Sequence, residues 1–313
     1  MTLEWSGFTN KKLLCNMPDS FQRVIIKVWL QHYEELYEPE TDGTTSLSHA
    51  LNEIMELFKD SNQTLTQARY VWMALILALV VEPTIKYYQA SSNIPEKVIE
   101  QISFWLSKNI GNTFESEKYY TSAVSKNELD IIVNEINLSS NFNDSKLSSL
   151  QIWQEALDVY SNAIRTLDFN QSLEALLEIL DDCLEGYAIF PGSQGRRKLF
   201  DWWLLEVVPA SWFLLPPGSI YTMDNLANRD SIITSHMKTL KTISSAIWSI
   251  LAESELSTRL FRLHDDNDLD VTPAPSVRRV AWNEAFTKMA EKKDDILLDS
   301  FETTSWDNVE WKW

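Results

Sequence analysis

Glycine is scarce in this chain, at 7 of 313 residues. Hairpins and tight βα turns draw on residues that tolerate positive φ, so a fold built from many such turns is disfavoured. Cysteine is scarcer still: Cys15 and Cys183 are the only 2, with no CxxC and no disulfide framework. That usage fits a reducing, cytoplasmic setting. Cations are outnumbered, 27 Lys and Arg against 45 Asp and Glu, for a formal net charge of −18. Such a field repels nucleic acid and anionic membrane surfaces, and suits metal cations, a basic partner or plain solubility. The 4 histidines show no HExxH spacing, and neither GxSxG nor GxxxxGK[ST] occurs. The first twenty residues lack the continuous apolar stretch of a signal peptide. The longest apolar run, "VWMALILALVV" over 71–81, is short of the about 20 residues a spanning helix needs. It reads as a buried core helix.

What is present is helical periodicity. In "FQRVIIKVWLQHYEELY", Phe21, Ile25, Val28, Trp29, Leu36 and Tyr37 recur at three- and four-residue steps. Ser46 is placed to cap a helix striped by Leu47, Leu51, Ile54, Leu57 and Phe58. Further helices are predicted at 64–81, 95–108, 126–137, 147–165, 172–186, 197–208, 229–251, 254–264 and 278–299. Prolines including Pro83, Pro95, Pro191 and Pro209 punctuate between them. The expected fold is therefore all-α: a single-domain bundle, 1–313, of about ten or more helices around an apolar, aromatic-rich core. The polar stretch 137–149 is the best linker. The flanks, about 20–125 and 147–255, share a faint pattern that fits either a duplicated unit or the common composition of amphipathic helices. Residues 300–313 form an aromatic, acidic tail. Its end, "WDNVEWKW", alternates in a way that fits pairing with "TLEWSGF", self-docking, or a peptide motif for a partner.

One constellation carries chemistry. In "LLEILDDCLEGYAIFPGSQGRRK", Leu173, Leu176, Leu177, Leu180 and Leu184 share a face at 100° per residue. Asp181 and Glu185, four apart, then sit together on its edge and Asp182 points away. Two carboxylates at the rim of an apolar face suit a solvated surface or a hard cation such as Mg²⁺. "EILDDCLE" resembles the aspartate-rich motif of class I terpenoid synthases, and "STRLFRLHDDNDLD" is similar to their second metal region, so the resemblance spans about 172–279. It implies an all-α Mg²⁺-dependent lyase that ionises a prenyl diphosphate to a carbocation. The implied metal set is Asp181, Asp182, Glu185, Asp265, Asp266 and Asp268, with Arg196, Arg197, Lys198 and Arg229 on the diphosphate. Trp202 and Trp203, with Asp181 and Glu185, would serve the reaction, the rings facing the cation. The same rings also read as ordinary core aromatics. The second region departs from the family pattern: four and eight residues past Asp265 stand Leu269 and Pro273, and a helix cannot carry ligands beyond Pro273 on one face.

Other motifs are weaker. "DDNDLD" begins like a calcium loop but has Val271 at the sixth position and Val277 at the twelfth, where Gly and Glu belong. "PGSQGRRK" before a helix could hold an anion through backbone N–H groups. Two functions follow: the terpene cyclase, or a non-catalytic acidic helical interaction protein that uses its aromatic tail.

Overall fold

Most helices form where the periodicity places them, but the stripe over 21–37 breaks after Trp29, and Glu34–Leu36 is a separate 3-10 turn. The computed structural model describes residues 11–38, 41, 43–60, 62–112, 131–134, 136, 147–190, 192–224, 226 and 228–252. Among these residues the principal helices are α1 (Lys11–Cys15), α2 (Asp19–Trp29), α3 (Leu47–Glu56), α4 (Gln63–Tyr88), α5 (Ile94–Asn112), α6 (Leu147–Arg165), α7 (Ser172–Glu185), α8 (Arg196–Trp202), α9 (Val208–Trp212) and α10 (Arg229–Ala252), and 131–134 and 136 are helical as well. The described residues contain no strand, so the all-α reading holds. The chain divides into two compact units, Met1–His264 and Asp265–Trp313, where the sequence reading has one domain. The second unit lies outside the described residues, as do the helices expected at 254–264 and 278–299 and the aromatic tail.

α4 is the axis of the first unit. It packs against α5, α6, α7 and α9, and almost every position from Leu65 to Ile85 is buried. A helix that is apolar all round is stable only when enclosed all round. Asn62 starts it by accepting a hydrogen bond from the Leu65 N–H at 3.0 Å. Pro83 does not end it, contrary to the sequence expectation. Proline costs one i→i−4 bond, which close packing on several sides outweighs. The resulting helix is long and apolar enough to cross a bilayer by length and composition, yet 94% of its most apolar window is buried inside the protein.

A second proline is also internal. Residues 196–212 run through α8, a π-helical stretch at Trp203–Val207 and α9, with Pro209 in the first turn of α9. Pro209 offers no N–H, and the wider π turn before it accommodates the missing bond. Ser46 takes the cap position of α3, but its side chain makes no capping bond. The Glu35 carboxylate instead accepts from the Leu47 N–H at 3.1 Å, an acid at the positive end of the helix dipole.

α6 and α7 make the most extensive helix–helix contact of the fold. Gly186, just past α7, shows how close they come. A Cβ there would lie 2.7 Å from Cβ of Glu155 on α6, so no larger residue fits without displacement. α10 lies against α5 and reaches α4 through His236, whose Nε2 is 2.8 Å from the Glu82 carboxylate.

Candidate functional site

The acidic end of α7 is rotated from the orientation the leucines suggest. Asp181 faces solvent, and Asp182 turns inward, half-buried. The reason is a second buried stripe, Ala175, Ile179, Asp182 and Gly186, at steps of four, three and four. Small residues on that stripe let α6 approach, and α6 brings Glu155, Asp158 and Asn162 at the matching spacing. The leucine count weighs bulk, so it misses a face made from Ala and Gly. Asp181 and Glu185 do not act as a pair either. Glu185 is bonded to Arg196 at 2.9 Å, whereas Asp181 has no such partner among the described residues.

Asp182 is therefore part of an acidic cluster between α6 and α7. It is hydrogen-bonded to the Glu155 carboxyl, and burial followed by Glu155 and Asp158 pushes its pKa up to about 8. Two carboxyls can share a hydrogen bond only with a proton between them. Asn162 Nδ2 donates to Asp182 at 3.3 Å, while its Oδ1 accepts from Arg165 at 2.8 Å. Arg165 thus fixes the amide without touching the carboxylates. Asp158 is raised as well, by burial, then by Glu155 and Glu178. Among the described residues no Lys, Arg or His forms an ion pair with Glu155, Asp158, Glu178 or Asp182.

Glu155 and Asp182 line a narrow crevice with Thr84, Ile152, Val159 and Tyr187, too tight for a water-sized sphere. Thr84 is 1% exposed, and its hydroxyl has no hydrogen-bond partner. Within a turn of this crevice, each of the three contributing elements supplies an aromatic ring. Tyr87 and Tyr88 follow Thr84 on α4, Trp153 follows Ile152 on α6, and Phe190 follows Tyr187. The rings meet edge to face: Tyr87–Tyr88 at 5.2 Å, Tyr87–Phe190 at 5.6 Å and Tyr88–Trp153 at 5.7 Å. Tyr87 is 72% exposed and Ile189 48%. An aromatic surface cluster thus borders an uncompensated acidic one.

Three of the four basic residues assigned to a diphosphate are occupied by the protein itself. Arg196 is buried, with Nε donating to the Leu184 carbonyl at 2.9 Å and its guanidinium stacked 3.9 Å over Tyr37. Arg197 donates to the carbonyls of Trp29 and Gln31 and to Asp201. The two arginines so complete the C-terminal ends of α7 and α2, where helix carbonyls lack partners. Asp201 remains raised by burial, although Arg197 beside it acts the other way. Arg229 bonds Thr222 at 2.8 Å and lies 3.5 Å from Asp224. Lys198 is exposed.

Trp202 and Trp203 are walls of the core. Their ring nitrogens donate to the Ser219 carbonyl at 3.0 Å and to Met73 Sδ at 3.2 Å. Asp265, Asp266 and Asp268 lie outside the described residues. The described half of the implied Mg²⁺ set does not fit one ion: Asp181 faces solvent, Asp182 is turned onto Glu155, and Glu185 is tied to Arg196. No group of three or more His, Cys, Asp or Glu among the described residues is arranged to hold a metal.

Sequence reasoning missed Glu155, Asp158, Thr84, Tyr87, Ile189 and Phe190. The available signal was the acidic row of α6 in register with the small-residue stripe of α7. Comparison with protein-family models, with curated proteins and with solved structures finds no match to this chain.

Proposed function

We propose that this is a helical interaction protein without catalysis of its own, and that the face formed by the end of α4, the start of α6 and the turn after α7 is its contact surface. One observation carries this: the ring cluster of Tyr87, Tyr88 and Phe190, with Tyr87 72% exposed and Ile189 beside it 48% exposed. Aromatic side chains are enriched where proteins bury surface against partners, because they offer much area for little lost rotamer freedom. Here the rings are already held by one another, so little ordering remains to be done on binding.

The reading is tested with a photo-crosslinking amino acid at position 87 or 189, and at exposed Glu100 as a control, in extracts of the source organism. Discrete protein adducts at 87 and 189, absent at 100 and lost on Phe190→Ala, are expected. The same adduct pattern at all three positions overturns it. Turnover of a prenyl diphosphate with Mg²⁺ would contradict it from the other side.

A further inference from the structure

We infer that the occupant of this face is a basic amphipathic segment of a partner protein, with apolar side chains on Tyr87, Ile189 and Phe190 and a lysine or arginine at the Glu155–Asp182 crevice. The inference rests on the reading of this face as a contact surface and adds the partner's chemistry.

Charge complementarity is the first argument. Glu155 and Asp182 line the crevice beside the aromatic cluster, Asp158 and Glu178 add to their negative field, and no cation among the described residues forms an ion pair with any of the four. Carboxylates crowded without a counter-charge favour an incoming cation, and once the proton between Glu155 and Asp182 is released to solvent a guanidinium matches the two carboxylates with paired N–H groups. Second, Thr84 lines the same crevice with a buried hydroxyl that has no partner, so the crevice wall carries an unanswered polar group behind the two carboxyls. Third, the net charge of −18 works against other occupants. A second copy of this chain would bring like charge to like, and nucleic acid would be repelled. An ammonium or guanidinium at the end of a flexible stem reaches the mouth of a crevice that is itself closed to a water-sized sphere.

The test uses the full chain and three labelled helical peptides of about 18 residues, long enough for about five turns. They share one Leu/Phe face and carry Lys and Arg, Gln, or Glu at the same flanking positions. Fluorescence anisotropy at low and high salt gives the affinities. The cationic peptide is expected to bind about 10-fold tighter than the Gln peptide, with the Glu peptide weakest and the gap narrowing as salt rises. Glu155→Gln combined with Asp182→Asn should bring the cationic peptide down to the Gln level and leave the Gln peptide unchanged. Ile189→Asp should weaken both. Equal binding of the cationic and Gln peptides, both sensitive to Ile189→Asp, overturns the basic partner and leaves the contact surface standing. Binding that is insensitive to Ile189→Asp overturns both, as does no binding by any peptide together with no site-specific adduct at position 87.

Discussion

Replacing Asp182 with asparagine should stabilise the protein in alkali and do nothing in acid. In the fold Asp182 is bonded to Glu155 and crowded by Asp158, with a pKa raised from 3.8 to about 8, burial being the largest cause. A carboxyl whose pKa is higher folded than unfolded holds its proton more tightly when folded. Its contribution is then fully present below about pH 4 and lost as pH rises through about 8. At about 1.4 kcal/mol per pH unit the upper bound is roughly 6 kcal/mol. Sharing of the proton with Glu155, and the access of solvent to both groups, reduce the expected effect to about 2–3 kcal/mol. Asparagine keeps the shape and supplies a permanent N–H to Glu155, in place of the proton that wild type loses. Urea unfolding of both proteins over about pH 4 to 9 gives the difference in stability at each pH. The two curves should coincide near the acid end and separate steadily toward the alkaline end, the variant higher. A difference that does not vary with pH, or a variant less stable in alkali, would refute the shared-proton arrangement.

Other substitutions probe the same geometry. Gly186→Ala puts a methyl 2.7 Å from Glu155 Cβ. It should cost about 1–3 kcal/mol by forcing α6 and α7 apart, read from the urea midpoint. Arg197→Lys keeps the charge but loses the fork that serves Trp29, Gln31 and Asp201 together. A loss of about 1–3 kcal/mol is expected, with faster amide exchange confined first to the end of α2. Asp181→Asn, one residue from the sensitive position, should change stability by no more than about 0.5 kcal/mol because its side chain faces solvent. A larger change at 181 than at 182 would return the motif to the orientation the leucines suggest.

The helices themselves were legible in the sequence: α6 and α10 begin where apolar spacing and polar flanks place them, and α7 ends one residue short of the expected 186. The prolines depart from expectation because a local rule meets a tertiary one. Pro83 lies in a helix enclosed on several sides, and Pro209 follows a π turn that makes room for it. At the end of α7 the acids are legible in "DDCLE", but not their orientation. Counting only large apolar residues puts Asp181 and Glu185 on the rim of the apolar face and Asp182 outside it, whereas it is Asp182 that turns inward. The close approach of α6 depends on Ala175 and Gly186, whose contribution to packing lies in the side chain they lack. The arginines after the turn read as a phosphate clamp because basic residues beside a glycine-rich loop serve anions and helix ends alike. Only the carbonyls of Leu184, Trp29 and Gln31 at their tips separate the two.

The most direct measurement is hydrogen exchange on the full chain with and without the cationic amphipathic peptide. Exchange should slow at 81–88, 152–158 and 182–190, the three elements that build the aromatic and acidic face, and stay unchanged in α2 and α8. Protection that falls elsewhere, or none in these three segments at a peptide concentration that saturates binding, would contradict it.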